Sequence, residues 1–363
     1  MKNPSKPRKS QRRVATHRAV QPDAHSVVGV VGMGLMGTSI SACLLGAGHK
    51  ICCIDSNSAK LQSAPDRLLR SLEEAHSQGL IKVSPALLMK RVTISDKFIA
   101  LKVASAIVES TVEDLTVKRE VIAKVEEVVS SSTLIGSNTS AIPVTELQRN
   151  AIHPERIIGL HWAEPANVTR FMEIICGDKT SLKTARRAVD LARRWGKEPS
   201  VLRKDIRGFI TNRIMYAMLR EAFYLVESGF ATVADVDRSL RNDLGYWITF
   251  AGPFRFMDLT GIPAYASVMK DLLPELSCAM QVPDLMRKIV KSGARGVSNA
   301  KGFYRYTPQQ AKHWEELFVQ FSYQIRRLAG EFPDDIGDKT ISTSNRLKRA
   351  RRATNKPRSG KAL

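Results

Sequence analysis

A short glycine-rich segment is the first feature that suggests chemistry. The glycines lie in Gly32-Met33-Gly34-Leu35-Met36-Gly37, directly after the β-branched run Val27–Val31. In such a GxGxxG pattern the first glycine permits a tight turn, the second lets the backbone approach a pyrophosphate, and the third lets a helix pack closely on a sheet. The pattern alone is weak evidence, but here it lies between a predicted strand and a predicted helix. We therefore predict that Gly32, Gly34, Leu35, Met36 and Gly37 bind a dinucleotide.

An acidic residue ends the next predicted strand. Asp55 follows Gly32 by 23 residues, and the residues after it, Ser56-Asn57-Ser58, include no arginine. A carboxylate at this place accepts hydrogen bonds from the adenosine ribose and repels a 2′-phosphate. The sequence therefore favours NAD over NADP, with FAD or an unrelated glycine turn as the alternatives.

One of the seven histidines lies where a catalytic base would be useful. His161 ends the apolar run Ile157–Leu160, at the carboxyl end of a predicted strand, where ligands bind in open α/β sheets. A dehydrogenase needs a base to take the hydroxyl proton as hydride leaves. The strand position alone leaves open whether His161 is this base or a buried structural histidine.

These residues require a scaffold of alternating strands and helices. Apolar runs predict strands at 27–31, 50–55, 104–109, 134–137, 156–162, 171–176 and 199–202, and helices at 37–48, 61–79, 84–91, 116–129, from Pro143, and at 182–195. This alternation predicts a mostly parallel sheet with helices on both faces, an α/β fold of the Rossmann type. After Lys204 the pattern becomes helical, with helices at 208–227 and 233–242 first. We predict a Rossmann-type domain at 26–206 and an all-helical domain at 207–330.

The basic charge lies mainly at the two ends of the chain. The net charge is +21, and residues 1–25 hold seven Lys and Arg residues while residues 339–363 hold nine with no acid. Both ends are poor in large apolar residues, so we expect disordered tails at 1–25 and 331–363. Such tails either bind polyanions loosely or only aid solubility, and we expect no specific nucleic-acid partner.

The remaining composition argues for a protein without membrane spans, metals or disulfides. No apolar run approaches the roughly 18 residues that a membrane span requires. The five cysteines show no paired spacing, which favours a reducing compartment and argues against a metal site. The N-terminal segment is Arg-rich, but its prolines and weak amphipathicity argue against a transit peptide. We expect a cytoplasmic protein.

From about residue 27 to residue 306 the sequence resembles the 3-hydroxyacyl-CoA dehydrogenase family. The resemblance rests on the order and spacing of the segments GVVGMGLMG, VESTVEDLTVK, GSNTSAI, GLHWAEP with MEII, KDIRGFITNRI and AKGFYRY. It implies NAD-dependent oxidation of a (S)-3-hydroxyacyl-CoA, such as 3-hydroxybutyryl-CoA, in fatty-acid metabolism. Separately, the long apolar helix of the helical domain exceeds what one sheet edge can cover, so we expect a homodimer formed through this domain.

The resemblance also assigns roles to individual residues. The family's catalytic histidine falls on His161 and its partner glutamate on Glu173, twelve residues later. Its serine and asparagine fall on Ser140 and Asn212, which would hydrogen-bond the substrate oxygen. Two further positions, Glu113 and Lys118, would lie near the nicotinamide ribose and the junction of cofactor and substrate.

Departures from the family pattern leave the substrate open. Glu164 stands where the family usually has asparagine, and the segment after Asp55 is short of the lysines that often contact CoA phosphates, offering Lys60, Arg67, Arg70 and Lys82. Related dehydrogenases act on carnitine or on sugar acids such as gulonate, and the segment YWITFAGP at 246–253 resembles that branch. Glu164 could meet a cationic substrate. The alternative is therefore a 3-hydroxy substrate without CoA.

Overall fold

The computed structural model describes residues 26–332. The predicted tails lie outside these residues, except for the two positions 331 and 332. Within residues 26–332, every helix is too short or too polar to cross a lipid bilayer.

An eight-stranded sheet forms the N-terminal half of the chain. Its strands are β1 (Val27–Val31), β2 (Lys50–Ile54), β3 (Val92–Ser95), β4 (Ala104–Glu109), β5 (Leu134–Ser137), β6 (Ile157–Trp162), β7 (Phe171–Ile175) and β8 (Glu198–Leu202). The strand order is β3-β2-β1-β4-β5-β6-β7-β8, and only the β6–β7 pair is antiparallel. The first six strands thus have the Rossmann order, and the order in which successive strands are added reverses between the parallel neighbours β1 and β4.

Helices cover both faces of this sheet. They are α1 (Leu35–Gly46), α2 (Ser58–Ser77), α3 (Pro85–Met89), α4 (Leu115–Glu126), α5 (Val144–Leu147) and α6 (Leu182–Arg194). Two buried apolar clusters result, one per face: α1, α2 and α6 contribute to the first, and α4 and α5 to the second. This is the α/β arrangement that the alternating pattern predicts.

The C-terminal part is helical. Its helices are α7 (Thr211–Glu227), α8 (Val233–Asn242), α9 (Leu244–Ile248), α10 (Pro253–Thr260), α11 (Ile262–Leu272), α12 (Asp284–Lys291) and α13 (Pro308–Glu331). The last helix returns to the sheet domain, where Arg326 donates to the carbonyl of Val168 and Arg327 donates to Gln78 Oε1 over 2.8 Å.

The predicted elements differ from the structure in a few places. The edge strand β3 was absent from the prediction because Val92–Ser95 is only four residues long and none of its residues is fully buried. Helix α1 begins two residues earlier than predicted, so the glycine motif includes the first helical turn. Helix α7 begins at Thr211 because Gly208 and Phe209 have positive φ angles of 80° and 51°, which an α-helix does not allow.

Candidate active site

The glycine-rich turn between β1 and α1 has room for a pyrophosphate. Gly32 adopts a φ of 97°, and a Cβ at Gly37 would lie 1.8 Å from the carbonyl oxygen of Gly32. At Gly34, by contrast, a Cβ would meet no atom within 4 Å, and the helix start there carries no side-chain cap. The first-turn amides of α1, which include those of Leu35 and Met36, therefore remain available to a phosphate.

Two side chains hold this turn in place. The carboxylate of Asp55 accepts from the backbone N–H groups of Met33 (2.7 Å) and Asn57 (2.9 Å). From the other side, the guanidinium of Arg67 donates to the carbonyl of Met33 (2.7 Å) and to Thr38 Oγ1 (3.1 Å). Each oxygen of Asp55 keeps a lone pair for a ribose hydroxyl, so these residues fit a dinucleotide such as NAD.

The two strands β6 and β7 bring His161 and Glu173 face to face. The residues are direct partners in the antiparallel register, and His161 Nδ1 lies 2.8 Å from Glu173 Oε2. The rings of Phe171 and Phe209 pack against the imidazole at 5.4 and 5.6 Å. With Nδ1 engaged by the carboxylate, the free Nε2 is the nitrogen that can accept a proton.

Glu173 also contacts the helical domain. Its Oε1 accepts from the backbone N–H groups of Ile210 (3.1 Å) and Thr211 (2.9 Å) at the start of α7. Burial alone would raise the pKa of Glu173, but the bonds from His161 and these amides outweigh it and lower the pKa. The carboxylate therefore stays charged near neutral pH although its residue is 0% exposed.

Asn212 and Ser140 meet across the two domains. Asn212 Nδ2 donates to the backbone carbonyl of Ser140 over 2.8 Å. The turn that carries Ser140 is held by Glu113, whose Oε1 accepts from Thr139 Oγ1 (2.6 Å) and from the N–H of Ser140 (2.9 Å). Burial of Glu113 opposes ionisation, but these bonds and the charge of Lys118 outweigh it and lower the pKa of Glu113.

Lys118 lies inside the protein. It is 0% exposed, and its Nζ lies 3.0 Å from Glu109 Oε1 and 3.5 Å from Glu113 Oε2. A fully buried ammonium group does not face a substrate, so its geometry supports a role in holding Glu113. Glu109, which also accepts from Ser137 Oγ, was missed in the sequence, although a carboxylate that ends a buried strand is a usable signal.

Both domains match models of one family. Residues 27–206 match the 3-hydroxyacyl-CoA dehydrogenase NAD binding domain, and residues 208–306 match the 3-hydroxyacyl-CoA dehydrogenase C-terminal domain. The chain belongs to the 3-hydroxyacyl-CoA dehydrogenase family. Its cofactor is NAD, and the protein is an oxidoreductase.

Relatives in this family differ in the substrate that their names give. The 5-formyl-3-hydroxy-2-methylpyridine 4-carboxylate 5-dehydrogenase of Mesorhizobium japonicum is 32% identical over 302 residues, covering 83% of this chain and 97% of the relative. A crystal structure of an enzyme of that name, described as an NAD⁺-dependent dismutase, has a TM-score of 0.78 at 30% identity and covers 84% of this chain and 98% of the other. The probable 3-hydroxybutyryl-CoA dehydrogenase of Bacillus subtilis is 29% identical over 279 residues, covering 76% of this chain and 96% of the relative.

A pocket of about 410 Å³ adjoins the glycine-rich turn. It lies between the start of α1, helix α2, the loop after β6, and helix α13, which lies beyond the family-matched residues. Glu164, on the loop three residues after His161, lines this pocket and forms no ion pair with the described residues. Its partial burial raises the pKa of the carboxyl.

The two glycines should respond differently to the same change. Gly37→Ala should destabilise the fold by about 1–3 kcal/mol, since the added methyl overlaps the Gly32 carbonyl. Gly34→Ala should leave thermal unfolding nearly unchanged but weaken NAD binding, because its methyl enters the space open to the pyrophosphate. Calorimetric unfolding and NAD titration of both variants measure this. Equal losses of stability in the two variants would contradict the assignment of the space beside Gly34 to the pyrophosphate.

A second prediction concerns how the stability contributed by Glu173 depends on pH. A carboxyl whose pKa is lower in the folded state contributes stability above its unfolded pKa and loses it as the pH falls through the folded value. Glu173→Gln should therefore cost about 1.5–3 kcal/mol at pH 7, and its deficit against the wild type should shrink below about pH 5. Unfolding curves from pH 7 to pH 3 test this, with the exposed Glu127→Gln as control. A deficit that does not vary with pH would contradict it.

Proposed function

We propose that this protein uses NAD to oxidise a hydroxyl group, with His161 as the base. His161 Nε2 takes the hydroxyl proton, and Glu173 fixes the ring so that Nδ1 keeps its hydrogen toward the carboxylate. The amide of Asn212, on α7, contacts the turn that carries Ser140. This amide and the Ser140 hydroxyl would hold the substrate oxygen. When bound, NAD supplies the acceptor for the hydride.

We further propose that the substrate is compact and carries no CoA. The observation that carries this proposal is the packing of α13 over α2, the helix whose cations would otherwise meet CoA phosphates. Arg327 bonds to Gln78 at the end of α2, and Tyr323 of α13 forms part of the wall of the pocket beside α2. The guanidinium of Arg67 is already engaged by the glycine-rich turn. The remaining 410 Å³ is near the lower end of the roughly 300–1,000 Å³ usual for ligand sites.

The name of one relative supports this choice. The relative from Mesorhizobium japonicum is named for a small pyridine carboxylate, and its alignment spans 302 residues of sequence. A compact hydroxy acid such as carnitine or gulonate belongs to the same proposal.

The second candidate is a (S)-3-hydroxyacyl-CoA, with a role in fatty-acid metabolism. It is favoured by the family match and by the name of the Bacillus subtilis relative. Under this alternative the CoA nucleotide would have to lie outside the α13 contact, near the exposed Lys60 and Lys82.

An activity panel separates the two candidates. We expect NADH to form at 340 nm from at least one compact substrate among carnitine, gulonate and the 5-hydroxymethyl analogue of the pyridine carboxylate. Turnover of 3-hydroxybutyryl-CoA should be at least roughly 100-fold less efficient in kcat/KM, a difference of about 2.7 kcal/mol. Efficient turnover of 3-hydroxybutyryl-CoA alone would overturn the compact substrate.

The control for this panel is Glu173→Gln. An amide at this position would donate to His161 Nδ1 and leave the proton on Nε2, so the ring could not act as a base. In serine proteases the equivalent change lowers kcat about 10⁴-fold, and we expect a loss of similar size on every substrate that the wild type turns over.

We also propose a homodimer formed by the helical domain. No residue of helices α7–α12 is fully buried in the single described chain. Large apolar side chains are exposed there, including Tyr246 at 78%, Phe254 at 79% and Met280 at 94%. So much exposed apolar surface is unusual for a monomer, and a second copy of the same helical domain would cover it.

Analytical ultracentrifugation measures the oligomeric state. We expect twice the mass of the chain at micromolar concentration, and a shift toward the monomer for Tyr246→Glu or Phe254→Glu. The matched control is Leu182→Glu, which changes a side chain 70% exposed on the sheet domain. A wild type that sediments as a monomer would contradict the dimer.

We propose a cytoplasmic location, where thiols stay reduced. All five cysteines are free thiols, and the burial of Cys53 raises its thiol pKa to about 12, so it stays protonated.

A further inference from the structure

The pocket beside the glycine-rich turn is lined by charges of both signs: Arg67, Arg70 and Glu74 on α2, and Glu164 on the loop after β6. Arg70, on α2, lines the pocket and makes no hydrogen bond or ion pair with the described residues, whereas the terminal nitrogens of Arg67, one turn earlier, donate to Thr38 and to the carbonyl of Met33. On the opposite wall, Glu164 likewise has no cationic partner among residues 26–332. Charges left unpaired in a concave site are poised to meet a ligand.

A polar side chain of α13, Tyr323, also lines this pocket without a hydrogen-bond partner among the described residues. Tyr323 lines the pocket and is 2% exposed, and its hydroxyl finds no hydrogen-bond partner among the described residues. An unpaired buried hydroxyl is unfavourable, so a ligand group seated between Tyr323 and Arg70 would give it a partner. Burial also raises the pKa of Tyr323, so the hydroxyl remains a donor.

We infer that this pocket binds a zwitterionic substrate, whose carboxylate meets Arg70 and Tyr323 and whose basic nitrogen meets Glu164. This inference rests on the proposed function and adds the charge pattern of the substrate. An anionic substrate alone would leave the Glu164 carboxylate unpaired beside it, and a cation alone would leave Arg70 unpaired. A ligand with both charges satisfies both walls, and the partial desolvation of Glu164 strengthens its attraction to a cation.

The arrangement also orients the substrate. Glu164 lies on the loop directly after β6, three residues beyond His161, so the nitrogen end would lie on the side of the base, while Arg70 holds the carboxylate on the side of α2. Lys197 holds this loop in place, because its Nζ donates to the carbonyls of Ala166 and Thr169. Fixed charges of opposite sign, Arg70 and Glu164, discriminate by charge separation as well as by size.

Matched probes test the charge pattern by binding alone. The probes are 3-hydroxypyridine-4-carboxylate and salicylate, which differ by the ring nitrogen, and carnitine and 3-hydroxybutyrate, which differ by the cationic group. Calorimetric titration into the protein with bound NADH should show each nitrogen-bearing probe binding at least roughly tenfold more tightly than its partner. Equal affinities within both pairs would overturn the inference.

Variants of Glu164 and Arg70 then test the two walls of the pocket separately. Glu164→Gln should abolish the preference for the nitrogen-bearing probe but leave binding of 3-hydroxybutyrate within about twofold, whereas Arg70→Gln should weaken all four probes about tenfold. The controls are Glu73→Gln and Lys60→Gln, two exposed residues of α2 that do not line the pocket. A preference that survives Glu164→Gln, or an Arg70→Gln protein that binds like the wild type, would overturn the assignment.

Failure of this inference is distinguishable from failure of the proposed function. If the protein oxidises gulonate, which carries no cation, while binding no zwitterion preferentially, only the inference is wrong. If it oxidises 3-hydroxybutyryl-CoA and no compact substrate, the proposed function is wrong as well.

Discussion

The carboxylate of Glu173 is the interaction on which the arrangement of the site depends. One oxygen accepts from the ring of His161, and the other accepts from the two backbone amides that begin α7. Because the residue is 0% exposed, its charge requires these partners, and breaking a buried pair is strongly unfavourable. The same charge therefore orients the imidazole and fixes the start of the helical domain, so the two cannot be positioned independently.

A second buried carboxylate organises the neighbouring strand end. Glu109 ends β4 and binds the fully buried ammonium of Lys118, which in turn lies 3.5 Å from Glu113. Glu113 then holds the turn at Ser140, whose carbonyl is reached by Asn212 from α7. The turn at Ser140 and the start of α7 are thus both held by buried carboxylates. Rigid support of this kind keeps a site at its working geometry.

Under the proposed function, substrate choice would depend on α13, a helix outside the family-matched residues. Residues 27–306 carry the features common to the 3-hydroxyacyl-CoA dehydrogenase family, whereas α13 begins at Pro308 and packs back on α2 and the loop after β6. A helix at this place changes the pocket without altering the dyad of His161 and Glu173. Conserving the chemistry while varying the wall of the pocket is a common way for one fold to serve different substrates.

The sequence by itself determined the fold class, the NAD site and the family, because these are encoded by local patterns. The glycine spacing from Gly32, the strand periodicity and the position of Asp55 depend on neighbours in the chain, and β1, β4 and β5 have their predicted bounds. The short edge strand β3 lacked such a pattern. Family resemblance then indicated His161 and Glu173, which strand geometry alone left open.

Only the tertiary structure decided which charges are free. In the sequence, Arg67, Arg70 and Lys118 are equivalent candidates for binding an anion. In the fold, Arg67 donates to the turn at Met33, Lys118 is buried against Glu109, and Arg70 alone of the three has no partner among the described residues. The return of α13 to α2 likewise depends on contacts such as Arg327 with Gln78, which are 249 residues apart. Pairing between distant residues leaves no local pattern, so composition and spacing could not predict it.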